Sequence, residues 1–185
     1  MKLMLMTIGV VAFGTGAFAQ EGSAPKVLVA YFSKTNNTKG VAEHLHSRVG
    51  GELFQVATKK PYPQDYRETT SIARTEQDNN ERPELANVIS PEDMKNYDVI
   101  FLGYPNWWGT LPMAMFTFLE QHDLSGKTII PFCTHEGSGL GRGPGDIGKI
   151  APGATLRQGL AVRGGSAGRA QNDIDNWLRQ LGYIR

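Results

Sequence analysis

The chain has 185 residues, of which 40% are hydrophobic and 20% charged, with 19 Lys plus Arg against 18 Asp plus Glu. This length suits one domain with a sizeable core. The near-zero net charge leaves no basic surface for nucleic acid, and the single cysteine, Cys133, excludes an internal disulfide. Cys133 ends an apolar run, where we expect a small buried thiol rather than a reactive nucleophile.

Residues 1–19 have the pattern of a secretory signal peptide. An apolar run from Leu3 to Phe18 ends in the small-x-small sequence at 17–19, and it is too short for a comfortable membrane span. We therefore expect an exported, periplasmic or secreted protein with no stable membrane anchor after cleavage. Residues 20–25 would be a short linker and residues 26–185 the functional domain. Cleavage would leave 18 Lys plus Arg against 18 Asp plus Glu, a net charge of zero.

Strand-like and helix-like patterns alternate along the rest of the chain. The predicted strands cover residues 26–32, 53–57, 99–103, 128–133 and 156–162, and the predicted helices cover 38–49, 65–80, 112–121, 145–150 and 167–181. This alternation requires right-handed crossovers. It predicts an α/β fold, a three-layer α/β/α sandwich with a five-stranded parallel sheet. Ligands bind such sheets at the carboxyl ends of the strands, so the loops after strands 1, 3 and 4 form the expected site.

The loop after strand 1, residues 33–38, has the composition of a phosphate site, and we call it the phosphate loop. Its sequence is Ser-Lys-Thr-Asn-Asn-Thr, and a helical pattern follows directly. Hydroxyls and backbone N–H groups would thus meet at the positive end of a helix. The loop does not have the pattern of a lysine followed by a magnesium-binding hydroxyl that phosphoryl transfer requires. The phosphate is therefore expected to belong to a bound cofactor. The alternative is an ordinary loop whose Ser and Thr only cap the helix.

The loop after strand 3, residues 104–110, contains two adjacent tryptophans, Trp107 and Trp108, and we call it the aromatic loop. Adjacent side chains diverge, so at least one ring is expected to face outward, where it can cover a flat conjugated ring. The alternative is that both are hydrophobic plugs under a neighbouring loop.

The loop after strand 4, residues 134–139, is rich in glycine, and we call it the glycine loop. Its backbone can approach a ligand closely. Downstream, residues 143–148 match a dinucleotide-binding pattern, and residues 143–150 nearly match a P-loop. The first match begins ten residues after its strand, and the second has Ile150 where Ser or Thr is needed, so we reject both.

The histidines do not predict a metal site. His44 and His46 lie about 200° apart around a helix and cannot share a metal ion. His122 lies at the end of the third predicted helix, where we expect it to cap the carbonyl groups as a cation. His135 lies in the glycine loop, but no Ser or Cys nucleophile is placed for a triad.

These loops resemble those of the flavodoxin-like family of FMN-binding proteins, and the segment at 60–66 resembles its short-chain subgroup. The resemblance covers residues 25–185 and implies the sheet order 2-1-3-4-5 with FMN as the cofactor. Asn36 replaces the Gly that is usual in the family's phosphate loops, and Asn tolerates left-handed backbone angles better than most residues. The family pattern implies a phosphate held by Ser33, Thr35, Asn37 and Thr38 in a loop completed by Asn36, with Lys39 as an outer contact. It also implies an isoalloxazine ring packed on Pro105, Asn106, Trp107, Trp108 and Gly109 and lined by Thr134, His135, Glu136, Gly137 and Gly139.

The resemblance implies redox chemistry carried by the flavin, with no side chain needed as acid or base. Two departures concern the role. Electron-carrying flavodoxins are acidic, which steers them to basic partners, and a second stacking aromatic usually follows strand 4, where His135 is the only ring here. We expect an electron carrier for a redox partner protein. The alternatives are an FMN-dependent NAD(P)H:quinone-type reductase with an open flavin face, and a flavodoxin-fold scaffold without flavin.

Overall fold

The computed structural model describes residues 24–185, so the predicted signal peptide lies outside the described residues. In chain order the elements are β1 (Val27–Tyr31), α1 (Asn37–Val49), β2 (Glu52–Gln55), α2 (Tyr66–Asp78), α3 (Pro91–Met94), β3 (Val99–Pro105), α4 (Met113–Glu120), β4 (Thr128–His135), α5 (Gly143–Ile150), β5 (Thr155–Leu156), β6 (Leu160–Arg163), a 3-10 helix (Gly164–Arg169) and α6 (Gln171–Leu181). Within residues 24–185, no helix is both long enough and apolar enough to cross a membrane.

The strands form one parallel sheet in the order β2-β1-β3-β4-β5, with β6 also paired to β4. β1 lies between β2 and β3, and Val27 is opposite Val99 in the register of β1 and β3. The predicted fold class and strand order are therefore confirmed. The carboxyl ends of β1, β3 and β4 lie side by side, which brings the phosphate, aromatic and glycine loops to one edge of the sheet.

Both faces of the sheet are buried, because alternate residues of each central strand point to opposite sides. In β1, Leu28 and Ala30 belong to the core on the side of α4, whereas Val29 and Tyr31 belong to the core on the side of α1 and α6. All five residues of β1 are buried. This explains why the strand is a continuous apolar run rather than an alternating one.

The fifth predicted strand, residues 156–162, is not continuous. Leu156 pairs with Ile129, but Leu160 pairs with Phe132, so three residues of the outer strand face two residues of β4. This is a one-residue bulge that divides the outer strand into β5 and β6. Pro131 lies opposite the bulge and has no N–H to donate, and a Cβ at Gly159 would come within 2.8 Å of the Pro131 carbonyl oxygen.

Three further expectations about local structure are corrected. The last helix begins at Gln171 rather than at residue 167, because residues 164–169 form a 3-10 helix. The short helix α3 was not predicted. Its sequence signal is the cap residue Ser90, whose hydroxyl oxygen accepts a 3.0 Å hydrogen bond from the Asp93 N–H. His122 does not cap α4 as a cation, since both of its ring nitrogens are buried and have no hydrogen-bond partner within the described part of the chain. Burial, and then the charge of Lys127, lowers the pKa of His122, so the neutral ring is favoured.

Candidate functional site

Within the phosphate loop, a residue with a left-handed backbone conformation directly precedes the first turn of α1. Asn36 has φ 65° and makes no side-chain cap, so Asn at this position adopts the conformation for which Gly is usual. The first α-helical hydrogen bond runs from the Gly40 N–H to the Asn36 carbonyl at 2.9 Å, so the N–H groups of residues 37–39 have no intrahelical acceptor. These N–H groups and the helix dipole make the turn suitable for an anion.

Ser33 supplies a buried hydroxyl with no partner. Its Oγ atom is inaccessible to solvent and makes no hydrogen bond among the described residues. A buried hydroxyl without a partner costs free energy, since it has lost its hydrogen bonds to water. This atom lies in the phosphate loop, between the end of β1 and the start of α1. A ligand with acceptor oxygens would give the Ser33 hydroxyl a hydrogen-bond partner.

The other predicted residues of the phosphate loop have different surroundings. Thr35 is exposed, whereas Thr38 is buried with its Oγ1 atom 2.8 Å from Oγ1 of Thr134. The hydroxyl of Thr38 therefore joins the phosphate loop to the end of β4. Lys39 forms a 3.8 Å ion pair with Glu43 on the next turn of α1.

The two tryptophans of the aromatic loop point in different directions, as predicted. Trp107 packs edge-on against Phe32 and Tyr62, with ring centroids 5.4 and 5.0 Å away. Trp108 is 48% exposed and lies against α2, where its Nε1–H donates to the Thr70 carbonyl at 3.0 Å. The ring of Trp107 thus packs inward, whereas the ring of Trp108 is partly exposed to solvent.

A tight turn produces this divergence. The N–H and carbonyl of Trp107 pair with those of Thr110, and the two central residues, Trp108 and Gly109, have φ of 51° and 86°. Two positive φ angles are typical of type I′ turns. Glycine accepts such an angle freely, but tryptophan does so at a cost of about 1–3 kcal/mol.

Asn106 ties the aromatic loop to the glycine loop. Its Nδ2 donates to the Gly139 carbonyl at 2.9 Å, its backbone N–H donates to Thr134 at 2.8 Å, and its Oδ1 accepts from the Gly109 N–H at 3.0 Å. The Arg142 N–H adds a 2.7 Å bond to the Gly109 carbonyl. These hydrogen bonds hold the two loops in a fixed relation to each other.

The glycine loop is stabilised by its own side chains. His135 Nδ1 accepts a 2.9 Å hydrogen bond from the Gly137 N–H, so this ring is held within its own loop. The carboxylate of Glu136 lies against Gly164, and Nδ2 of Asn37 is within 2.9 Å of where a Gly164 Cβ would stand. The 3-10 helix therefore completes the site beside α1, a contribution that the sequence analysis missed because the fifth strand was read as continuous.

Cys133 is 1% exposed, as predicted for a structural thiol, and its Sγ donates to the Gly139 carbonyl at 3.1 Å. Burial raises the pKa of Cys133 to about 12, which keeps the thiol protonated at neutral pH. Burial also raises the pKa of Tyr104, whose hydroxyl donates to the Leu140 carbonyl at 3.1 Å. Neither group offers a reactive anion.

A cavity that the sequence analysis missed lies between the aromatic loop and α2, and we call it the α2 cavity. Its volume is about 460 Å³, and it is lined by Thr35 and residues 105–108 of the predicted site together with Lys34 of the phosphate loop. The residues contributed from outside the predicted loops are Gln64, Tyr66, Thr69, Thr70 and Ala73. The only sequence signal for them was the turn at 60–66 followed by a helix, because their position opposite Trp108 depends on how α2 packs.

The fold is that of a doubly wound α/β protein, and the three loops meet at the carboxyl edge of its sheet. The chain belongs to the flavodoxin family, since the family model for flavodoxin matches residues 26–181. A proposed flavoprotein from Bacteroides eggerthii is 34% identical, with a TM-score of 0.74 over 86% of this chain and 99% of that one. A proposed flavoprotein from Bacteroides uniformis is 28% identical, with a TM-score of 0.74 over 85% of this chain and 99% of that one. A search of curated proteins found no significant match.

A flavoprotein from Lactobacillus acidophilus, solved in complex with FMN, is also similar. It is 26% identical to this chain, with a TM-score of 0.65 over 83% of this chain and 99% of that one. Together with the family match, this neighbour supports FMN as the cofactor.

Proposed function

We propose that this protein binds FMN and carries electrons through it. The observation that carries the proposal is the buried hydroxyl of Ser33, which has no hydrogen-bond partner among residues 24–185, beside the N–H groups at the start of α1 that have no intrahelical acceptor. Ser33, Asn37 and these N–H groups would hold the phosphate. The edges of the aromatic and glycine loops would bind the isoalloxazine through their backbone.

FMN supplies one- and two-electron chemistry when bound, and the protein tunes it by packing and hydrogen bonds. The residues of this chain would hold the ring in one orientation, because Asn106 fixes the relation between the two loops. The Cys133 thiol stays protonated and buried, so it does not serve as a nucleophile in this proposal. The chemistry would therefore depend on how the loops surround the ring.

The first experiment compares FMN with riboflavin, which lacks the phosphate. Purified protein is titrated with each compound, and binding is followed by the change in flavin absorption and fluorescence. Tight binding of FMN and much weaker binding of riboflavin would support the proposed phosphate site. No spectral change at saturating FMN would contradict the proposal and leave the scaffold without flavin as the better description.

A reductase of small molecules is the second candidate function, and the α2 cavity favours it. The cavity borders both the phosphate loop and the aromatic loop, so a small acceptor bound there would lie close to the cofactor. Steady-state assays with NADH or NADPH and a quinone separate the two functions. Saturable turnover would favour the reductase, whereas separate one-electron steps in a reductive titration without turnover would favour the carrier.

We further propose that the protein acts outside the cytoplasm, as the N-terminal pattern indicates. The partner would be a redox protein or a small acceptor in that compartment. Cell fractionation followed by N-terminal sequencing tests this point. A mature chain that begins at Gln20 would support export, and a cytoplasmic chain that retains residues 1–19 would contradict it.

A further inference from the structure

The ring of Tyr62 packs edge-on against two other aromatic rings, and we call these three residues the aromatic cluster. The Tyr62 centroid lies 5.8 Å from that of Phe32 and 5.0 Å from that of Trp107, and the rings of Phe32 and Trp107 are 5.4 Å apart. Phe32 directly precedes Ser33 of the phosphate loop, and Trp107 belongs to the aromatic loop. The cluster therefore connects both loops to the segment at 60–66.

The aromatic cluster is anchored to α2 by a buried carboxylate. The Tyr62 hydroxyl donates to Oε2 of Glu76 at 2.7 Å, and within residues 24–185 this is the only hydrogen bond of either side chain. Glu76 is 9% exposed. A buried ionised carboxylate depends strongly on such a bond, because it has lost most of its hydration. Glu76 thus holds the hydroxyl end of Tyr62, while Phe32 and Trp107 pack against its ring.

The placement of Trp107 affects the predicted site because its backbone begins the tight turn of the aromatic loop. Its N–H and carbonyl pair with those of Thr110, which sets the positions of Trp108 and Gly109 between them. Its side chain is fixed by the edge-on contacts of the aromatic cluster. A change at Tyr62 therefore reaches the aromatic loop through direct contact between rings.

Charged groups from three parts of the chain surround Glu76. It borders a cavity of about 530 Å³, and the other charged residues that line this cavity are Lys59 and Lys60 after β2, Glu68 on α2, and Glu81, Arg82 and Glu84 after α2. Lys59 forms an ion pair with Glu84, and Arg82 forms one with Glu120 of α4. Both of these cations are therefore engaged by carboxylates other than that of Glu76.

These surroundings favour the protonated form of Glu76. Burial, and then the charge of Glu81, raises its pKa, and the hydrogen bond from Tyr62 offsets only part of this rise. The side chain therefore takes up a proton at a higher pH than an exposed glutamate does. The cavity beside Glu76 gives water a path to the carboxylate.

We propose that Glu76 is a positioning residue of the FMN site, which fixes Trp107 through Tyr62 and does so less firmly when its carboxylate is protonated. The inference rests on the proposed function, since FMN is the ligand whose affinity changes. The ionised carboxylate accepts a charge-assisted hydrogen bond from Tyr62, whereas the protonated group is a weaker acceptor. FMN binding therefore weakens as the pH falls and Glu76 becomes neutral.

The first measurement follows Trp107 in the protein without FMN. The protein is labelled with fluorotryptophan, and the fluorine resonance of Trp107 is assigned from its loss in Trp107→Phe. We expect this resonance to move between about pH 8 and about pH 5 in the wild type. The movement should be absent in Glu76→Gln, which cannot ionise, and in Tyr62→Phe, which keeps the ring but lacks the hydroxyl.

Glu68→Gln is the matched control. Glu68 lies on the same helix and lines the same cavity, but it is exposed, whereas Glu76 is buried and bound by Tyr62. The Trp107 resonance of this variant should titrate as in the wild type. Glu81→Gln should move the midpoint to lower pH, since a negative charge that raises the pKa of Glu76 is removed. A Trp107 resonance that does not move with pH in the wild type, or that titrates equally in Glu76→Gln, overturns the proposal.

The second measurement is the FMN affinity of the wild type and of Glu76→Gln over the same pH range, followed by flavin absorption. The phosphate of FMN also titrates, so the two proteins are compared with each other at each pH. Glu76→Gln should bind FMN about fivefold more weakly at about pH 8, and the difference should shrink towards about pH 5. Equal affinities at every pH overturn the positioning role. Absence of FMN binding in the wild type contradicts the proposed function, and the fluorine titration still decides whether Glu76 acts on Trp107.

Discussion

At the residue scale, the buried hydroxyl of Ser33 distinguishes a ligand site from an ordinary helix start. The atom has no hydrogen-bond partner among the described residues. We predict that Ser33→Ala leaves the stability of the FMN-free protein unchanged or raises it by up to about 1 kcal/mol, since an unsatisfied polar atom is removed. The same change should lower the affinity for FMN by about tenfold or more, because a charge-assisted hydrogen bond to the phosphate is lost.

Urea unfolding and FMN titration measure these two effects. Ser47→Ala, on the helix α1 that follows the loop, is the control, because its hydroxyl already donates to the His44 carbonyl at 2.6 Å. Riboflavin affinity should not change in Ser33→Ala. An equal loss for FMN and riboflavin would show that Ser33 does not contact the phosphate.

Variants of Thr38 and Thr35 should show that the first residue stabilises the phosphate loop and that the second residue contributes to FMN binding. Thr38→Val removes the buried hydroxyl bond to Thr134 and should destabilise the FMN-free protein by about 1–2 kcal/mol. Thr35→Val changes an exposed side chain and should leave stability within about 0.5 kcal/mol, while FMN binding weakens. Unfolding and FMN titrations of both variants check this, and equal stability of the two would contradict the role of the Thr38–Thr134 bond.

At the element scale, the 3-10 helix supports the site from the end of the outer strand. A methyl group at Gly164 would overlap the Glu136 carboxylate and press on Asn37 at the start of α1. We predict that Gly164→Ala weakens FMN binding by about tenfold, because displacement of these side chains disturbs the phosphate loop. Isothermal titration with FMN measures this effect.

Gly165→Ala provides the matched control for that element. A methyl group at Gly165 would meet no atom within 4 Å, although the two glycines are adjacent in the same 3-10 helix. FMN affinity should therefore equal that of the wild type. If both variants weaken FMN equally, the effect comes from the flexibility of the 3-10 helix and not from the contact with Glu136.

At the scale of the whole molecule, the neutral and unpartnered ring of His122 makes stability depend on pH. Burial lowers the pKa of His122 in the folded protein below its ordinary value of 6.5, with a smaller contribution from Lys127. The unfolded chain then binds a proton more readily, so the contribution of His122 is fully present above pH 6.5 and is lost as the pH falls towards the folded pKa. Urea unfolding should show His122→Leu losing less stability than the wild type between neutral pH and about pH 5.

His46→Leu is the control for this pH dependence. His46 Nε2 lies 3.1 Å from the Gly51 carbonyl and has a hydrogen-bond partner there, whereas the ring nitrogens of His122 have none among residues 24–185. The stability of His46→Leu should fall with pH as that of the wild type does. A wild type and a His122→Leu variant with parallel pH profiles would show that His122 does not titrate on unfolding.

The sequence by itself determined the order of strands and helices and the three loops at one edge of the sheet. Continuous apolar runs such as β1 predict strands buried on both faces, and the alternation with helices leads to a parallel sheet. The adjacent Trp107 and Trp108 predicted one outward ring, and Asn36, which stands where the family pattern has Gly, adopts the left-handed angle that Asn tolerates. These features depend on periodicity and on the conformational preferences of neighbouring residues, so a local pattern contains them.

Only the tertiary structure decided which groups are left without partners and which distant residues meet. Trp108 contacts Thr70, 38 residues away, and together with Tyr66 it lines a cavity that no local pattern indicates. The bulge at residues 157–159 depends on Pro131 of the neighbouring strand, and the solitary ring of His122 depends on how α4 packs. Such contacts depend on how elements that are far apart in the chain pack together. The backbone hydrogen bonds are mostly made within helices and between strands, whereas the partners of a side chain are set by its neighbours in space.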